Sequence, residues 1–334
     1  MKTRILDILV PQYQETQDIL KVLLDSIAVQ QGINFDDIGV IIVNDGAIGT
    51  DGYLPDKFLR SYPFHIEWHR HEHKGVSATR NACLDYSTAD YVMFCDADDC
   101  FINGLGLFRV LGEIEQEHPD SIFSMFYEEN RMPDTNEAIF IKHEMDSTFV
   151  HGKIHRRQFL LDQNIRWNEN LLVHEDSYFN VLCQRLAKNL RYCGEPFYLW
   201  RWRENSICRH DSDYLLKTYA KLLDSMDALV TEFLERKSTE NARSYATVTI
   251  YDAYFTLNGA RWIDVVNKEY RQEVESRFAK FYKKYGYLLN EISPQERLQL
   301  VADIRMRYFR EGLISESITF DDWILHILAD YDTD

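Results

Sequence analysis

No apolar run in the 334-residue sequence approaches the roughly 18 residues of a transmembrane helix, so no membrane span is expected. The start, MKTRILDILVPQY, lacks a long apolar segment and a small-residue cleavage site, and the chain reads as mature and cytoplasmic. Six cysteines are present, but no pair has CxxC spacing, which excludes a zinc ribbon and a thioredoxin-like redox site. Positive charge is scarce. Lys and Arg number 37 against 54 Asp and Glu, a net charge of −17. Bulk binding to phosphate backbones relies on Lys and Arg, so nucleic acid is not an expected partner. GxxxxGK(S/T) is absent, so there is no P-loop. His151 and His155 stand four apart, but no glutamate follows His151, so HExxH is absent too. No internal repeat or low-complexity tract is found.

What remains is a globular composition, 45% hydrophobic and 13% aromatic. The length suits one large domain or two modest ones. Ile5–Val10 is an apolar run read as a buried strand that ends at Pro11, which cannot continue a ladder. Thr16–Gln30 carries Ile19, Leu20, Leu23, Leu24 and Ile27 at helical spacing. Val40–Val43 predicts a second strand before the turn-forming Asn44-Asp45-Gly46. His65–His69 suggests a third strand, Ala78–Leu84 a helix and Tyr91–Cys95 a fourth strand. This alternation predicts an α/β fold with a mainly parallel sheet covered on both faces. Ligands in such sheets bind at the carboxyl ends of the strands. Gln12, Asp45, Asp96 and Asp98 therefore belong on one rim. After Tyr214 the apolar spacing turns helical, which places a mostly helical C-terminal region at about 212–334.

The sharpest chemical signal is Phe94-Cys95-Asp96-Ala97-Asp98-Asp99. Two carboxylates one residue apart after a buried strand can offer oxygen ligands to Mg²⁺ or Mn²⁺, which would neutralise a leaving phosphate group. The plainer reading is a polar turn capping a helix. Asp45 can accept from a nucleobase imide N–H or close an Asx-turn. Lys74–Asn81 offers a loop glycine, hydroxyls and Arg80 at a helix start, suited to a diphosphate or simply a capped helix. The adjacent carboxylates Glu175-Asp176 raise each other's pKa near a cleft, which suits a general base, though they equally suit the acidic start of a helix. His65, His69, His71 and His73 invite zinc, but Glu67, Arg70 and Lys74 among them favour a solvated strand end.

Taken in order, these segments resemble family 2 glycosyltransferases of the GT-A fold. Val10-Pro11-Gln12-Tyr13 with Glu15 resembles the opening strand and loop, and Val43-Asn44-Asp45-Gly46 its NDG segment. Lys74–Asn81 resembles the KGVSxARN segment, and Phe94–Asp99 the DXD metal segment. His151-Gly152-Lys153 through Arg157, Ile165-Arg166-Trp167, His174-Glu175-Asp176, and Trp200–Ser206 with Ile207 resemble later elements. The match covers about residues 5–210. Gln14 and Ala47 depart from the usual Asn and Ser, and an insertion-like stretch, Ile48–Asp56, follows.

The resemblance implies a glycosyltransferase domain over 1–211. The helical region 212–334 would shape the acceptor site or form an oligomer contact. Asp45 would contact the base, with Pro11, Tyr13 and Glu15 lining the nucleotide pocket and Arg80 near the nucleotide. Asp96 would approach the ribose or the metal, Asp98 would bind Mn²⁺ or Mg²⁺, and His210 would be a further metal or diphosphate ligand. Asp176 would deprotonate the acceptor hydroxyl in an inverting displacement. Lys153, Glu175 and Asp99 are candidate contacts to acceptor or donor. The donor is expected to be a nucleotide-sugar, a UDP-sugar foremost, and the acceptor a hydroxyl on a glycan, a protein or another molecule. One alternative is a sugar-phosphate nucleotidyltransferase, but the opening loop PQYQE lacks the glycines such enzymes carry there. The other is a silent nucleotide- or carbohydrate-binding protein, against which the joint presence of Asp98 and Asp176 argues.

Overall fold

The computed structural model describes residues 3–46, 53–132, 134–144, 146–204, 206, 213–310 and 318–331. The chain divides into two compact units, Met1–Ser206 and Ile207–Asp334. Among the described residues no helix is long and apolar enough to cross a membrane.

The first unit is an α/β layer structure. Its strands are β1 (Leu6–Gln12), β2 (Ile38–Asn44), β3 (His65–Arg70), β4 (Tyr91–Phe94), β5 (Cys100–Phe101), β6 (Ser121–Arg131), β7 (Ala138–His143), β8 (Lys153–Arg156) and β9 (Leu190–Trp200). They form one sheet in the order β3-β2-β1-β4-β8-β6-β9-β5, with β7 paired to β6. Its helices are α1 (Gln17–Ala28), α2 (Asp56–Leu59), α3 (Val76–Tyr86), α4 (Gly106–Glu117), α5 (Arg157–Asp162) and α6 (Glu175–Leu186).

The sheet is mixed. β1, β2, β3 and β4 run parallel to one another, as the βαβ pattern predicts. From β8 onward the ladders are antiparallel except β6 with β9. β2 is buried at every position because both faces are covered, which is why its sequence shows no alternation. Leu6, Ile8 and Val10 share a core with Leu20, Leu23, Leu24 and Ile27 of α1. Each such aliphatic side chain, fully buried, contributes roughly 1.5–3 kcal/mol. On β4, Phe94 meets Trp167 and Phe179 edge to face at 5.1 and 5.5 Å.

One expectation is corrected. β1 does not stop at Pro11 but runs on to Gln12, with Pro11 in register with Val43. The odd-numbered residues of β1 point their backbone groups toward β4, where Leu9 O accepts from Cys95 N. That pairing ends at Leu9↔Phe94, so the N–H that proline lacks would face the side where the ladder has already finished. Gln12 turns to the β2 side, where its carbonyl accepts from Asp45 N at 2.7 Å.

Because β1, β2, β3 and β4 run parallel, the segments after Gln12, Asn44, Arg70 and Phe94 emerge on one rim. The second unit, as the apolar spacing predicts, is helical: α7 (Tyr214–Lys217), α8 (Tyr219–Glu235), α9 (Thr239–Leu257), α10 (Ala260–Val265), α11 (Lys268–Tyr285), α12 (Pro294–Arg310) and α13 (Phe320–Asp330). Leu229, Val230, Phe233, Ile250, Val274 and Phe278 lie in its interior.

Candidate active site

The rim gathers two clusters. The first centres on Asp45, just beyond β2. Its carboxylate accepts from the backbone N–H of Lys74 at 2.8 Å and of Gly75 at 3.0 Å, 29 and 30 positions away in sequence. His73 Nδ1 lies 2.8 Å and His71 Nε2 3.4 Å from the same carboxylate. Asp45 thus ties the β2 loop to the start of α3. Gly46 makes the close approach feasible, because it has φ +71° and a Cβ there would lie 2.4 Å from His73 N. Tyr13 sets its ring 4.9 Å from that of His73, and its N–H donates to Glu15 at 2.8 Å. An open groove of about 570 Å³ beside Asp45 is lined by Gly46, Arg70, His71, Glu72 and His73. Of the four histidines weighed for zinc, His71 and His73 serve Asp45. His65 and His69 flank Glu67 at 2.7 and 3.3 Å.

The second cluster centres on Arg80, which is buried on α3. Its guanidinium lies 4.3 Å over the Trp167 ring. One nitrogen donates to Asp176 at 2.6 Å and to Glu175 at 3.1 Å, and the other to Asp96 at 3.1 Å. A planar fork therefore sets the spacing of carboxylates contributed by β4's exit and by α6. Burial opposes the charge on Arg80, but Asp176, Asp96 and Glu175 outweigh it and hold the guanidinium above its usual range. Burial also raises Asp96 and Asp176 above the ordinary carboxylate range, with Arg80 pulling both down. Glu175 is pushed up to about 7, first by burial and then by Asp176, against Arg80. Asp176 also accepts from Val150 N at 3.1 Å. His174, which leads into α6, is held left-handed at φ 63°, a conformation that costs a non-glycine residue energy and aims the two carboxylates that follow.

The DXD carboxylates separate in role. Asp98 is partly exposed and pairs with Arg203 Nη1 at 2.7 Å. Asp99 is fully buried, accepting from Tyr198 O–H at 2.5 Å and from Arg201 N at 2.9 Å. Asp96, Asp99 and His151 bring ligand-type atoms within 4.8 Å of one another. Asp96 and Asp99 offer carboxylate oxygens and His151 an imidazole nitrogen, donor types that Mn²⁺ accepts, whereas Asp98 is turned to Arg203 and does not belong to this group.

The structure thus brings Tyr13, Glu15, Asp45, Arg80, Asp96, Glu175 and Asp176 to the two rim clusters, with Asp98 held on Arg203, whereas Pro11 stays within β1 in register with Val43. It does not bring Asp99 or Lys153 to a surface. Lys153 is buried, its Nζ donates to Phe149 O, and burial lowers its pKa to about 8. Both hold the framework: Asp99 anchors the Arg201 segment, and Lys153 anchors the loop that presents Val150 to Asp176. His210, with Ala47 and part of the 48–56 stretch, lies outside the described residues. Reading the sequence missed Arg203, Trp167 as the stacking floor for Arg80, and the service of His71 and His73 to Asp45. Arg203 and Trp167 had a signal in their places in the Trp200–Ser206 and Ile165–Trp167 segments, but neither role was legible there.

A model of the family described as "Glycosyl transferase family 2" matches residues 7–176. The chain is 25% identical over 221 residues to Bacillus subtilis (strain 168) glycosyltransferase EpsJ, a match covering 61% of this chain and 62% of EpsJ. The chain therefore spans less than two thirds of that relative, and it spans 21% of GgaB from the same organism. Among solved structures it resembles S. aureus TarS 1–349 in complex with UDP-GlcNAc (TM-score 0.64, 16% identity, 93% of each chain). It also resembles mannosyltransferase PcManGT from Pyrobaculum calidifontis in complex with GDP-Man and Mn²⁺ (TM-score 0.50, 12% identity, 98% of this chain and 85% of that one). These likenesses bear out the GT-A fold with a helical C-terminal region.

Proposed function

Since the chain belongs to glycosyl transferase family 2, we propose that it moves a sugar from a UDP-sugar to an acceptor hydroxyl, with inversion and with a bound Mn²⁺ or Mg²⁺. The observation that carries this reading is the Arg80 fork, which holds Asp96 of the DXD segment and Asp176 at the start of α6 on one guanidinium. Asp176 would accept the acceptor proton as that oxygen bonds to the anomeric carbon and the bond to the diphosphate oxygen breaks. The proton ends on Asp176, and the nucleoside diphosphate leaves. Asp45, Tyr13 and the groove beside them would seat the base. Asp96 and Asp98 would hold the cation, whose charge offsets that developing on the leaving diphosphate.

UDP is favoured because TarS structures hold UDP and UDP-GlcNAc, and a divalent metal because PcManGT holds Mn²⁺. The division at 1–211 and 212–334, an acceptor or oligomer role for the helical region, and a cytoplasmic setting belong to the same proposal. The test is nucleotide release from UDP-, GDP-, CDP- and dTDP-sugars with Mn²⁺ and with EDTA. Metal-dependent release from a UDP-sugar is expected. Release that EDTA leaves untouched would remove the metal from the proposal.

A further inference from the structure

Arg203 sits where a cation is needed. Its Nη1 is 2.7 Å from Asp98 Oδ2 and 3.8 Å from Glu15 Oε1. It thereby neutralises the second carboxylate of the DXD pair and reaches the loop assigned to the nucleotide. The main chain just before it is pinned: Arg201 N donates to Asp99 at 2.9 Å, Arg201 Nη1 to Asp98 O at 3.0 Å, and Trp202 N to Glu129 at 3.2 Å. The Arg203 side chain is about a third exposed, so it can swing by its own torsions without unfastening that backbone.

We propose that Arg203 is the resident counter-ion of the metal carboxylate, exchanged for the divalent cation when a nucleotide diphosphate arrives. The proposal rests on the reading of Asp98 as a metal ligand. A guanidinium bound to Asp98 Oδ2 competes with a metal ion for that oxygen, by charge repulsion and for its lone pairs. A diphosphate offers the guanidinium several charged oxygens in place of a single carboxylate, and planar bidentate pairing favours the transfer. Metal and nucleotide then strengthen each other's binding, and by linkage the coupling is the same in either direction. Arg203 is thus a positioning and binding residue with two seats, Asp98 in the empty site and the diphosphate in the loaded one. Without it, the carboxylates around Asp98 attract the ion more strongly, and the diphosphate loses a partner.

The test is titration of Mn²⁺ alone into the nucleotide-free full chain, with free Mn²⁺ read by electron paramagnetic resonance, followed by UDP titration of the Mn²⁺-loaded protein by calorimetry. Arg203→Ala is expected to bind Mn²⁺ about tenfold more tightly than the native chain and UDP about tenfold more weakly. Arg203→Lys, which keeps the charge, is expected to stay within a few-fold of native for Mn²⁺. Asp98→Asn is expected to lose most Mn²⁺ affinity. If Arg203→Ala matches or falls below native Mn²⁺ affinity while Asp98→Asn loses it, the exchange is overturned and the metal assignment stands. If Asp98→Asn binds Mn²⁺ like the native chain, the metal assignment itself fails and the exchange goes with it.

Discussion

In the first unit the buried polar side chains include Asp7, Asp45, Arg80, Asp99, Asp120, Lys153 and His155. In the second unit, among the described residues, they are hydroxyls only: Ser225, Thr247, Thr249 and Thr256. A buried charge costs several kcal/mol unless it is paired and hydrogen-bonded, whereas a buried hydroxyl costs far less. Each charge in the first unit is accordingly met: Asp7 by Arg4 and by N–H groups of Thr88 and Ala89, Asp120 by Arg156 and by N–H groups of Lys188 and Asn189. Where such charges converge on an open rim, as around Arg80, they can act on a ligand. The second unit, built on apolar and aromatic contacts, reads as a packing module.

The hardest blow to this contrast falls on the rim. Asp98→Ala is expected to lower metal-dependent turnover by several orders of magnitude, because the leaving diphosphate loses its counter-ion. Nucleotide release in Mn²⁺ checks it, and native-like release would break the link between the DXD segment and catalysis. Asp176→Asn should cost about 10²–10⁴ in turnover while calorimetry still shows nucleotide binding. Loss of binding instead would make Asp176 a structural residue.

Arg80→Met, which strands Asp96, Glu175 and Asp176, should destabilise the chain by about 3–5 kcal/mol in urea unfolding. The pH dependence should also arise in the first unit. Burial lowers His155 to about 3, with Lys153 adding to the effect, and lowers His174 to about 4. The unfolded chain then binds more protons, so their contribution is full above pH 6.5 and is lost as pH falls toward these values. Glu175 has the opposite sign, since its pKa is raised to about 7. Its contribution is full below the ordinary value of 4.5 and is lost as pH rises through 7. Urea midpoints in a Glu175→Gln background should therefore fall steadily from pH 7 to pH 5; a flat profile would show that the two histidines are not held neutral.

The smallest effect belongs to the second unit. Thr247 is fully buried, and its hydroxyl has no hydrogen-bond partner among the described residues. Thr247→Val removes that cost with little change of shape and should stabilise by about 1 kcal/mol. A loss of comparable size would show that the second unit also depends on buried polar contacts.

Much of this was written locally. Unbroken apolar runs at β2 and β4 mark strands covered on both faces, and the spacing in α1 marks its buried stripe. Asp96, Asp98 and Asp176 stand out by their place after a strand or at a helix start. The roles within the DXD segment were not legible, because Asp98 and Asp99 are the same residue type in adjacent positions. Only burial beneath Tyr198 separates them. Nor was the strand's passage through Pro11, which depends on how far β4 extends alongside.

The sequence by itself determined the periodicities, the parallel half of the sheet and the set of carboxylates delivered to its rim, because these follow from side-chain period and from residues near one another in the chain. Tertiary structure decided which side chains share a charge. Arg80 meets Asp176 across 96 positions and Asp98 meets Arg203 across 105. Such pairings depend on how distant segments pack and on what water is excluded between them, and no local pattern encodes that.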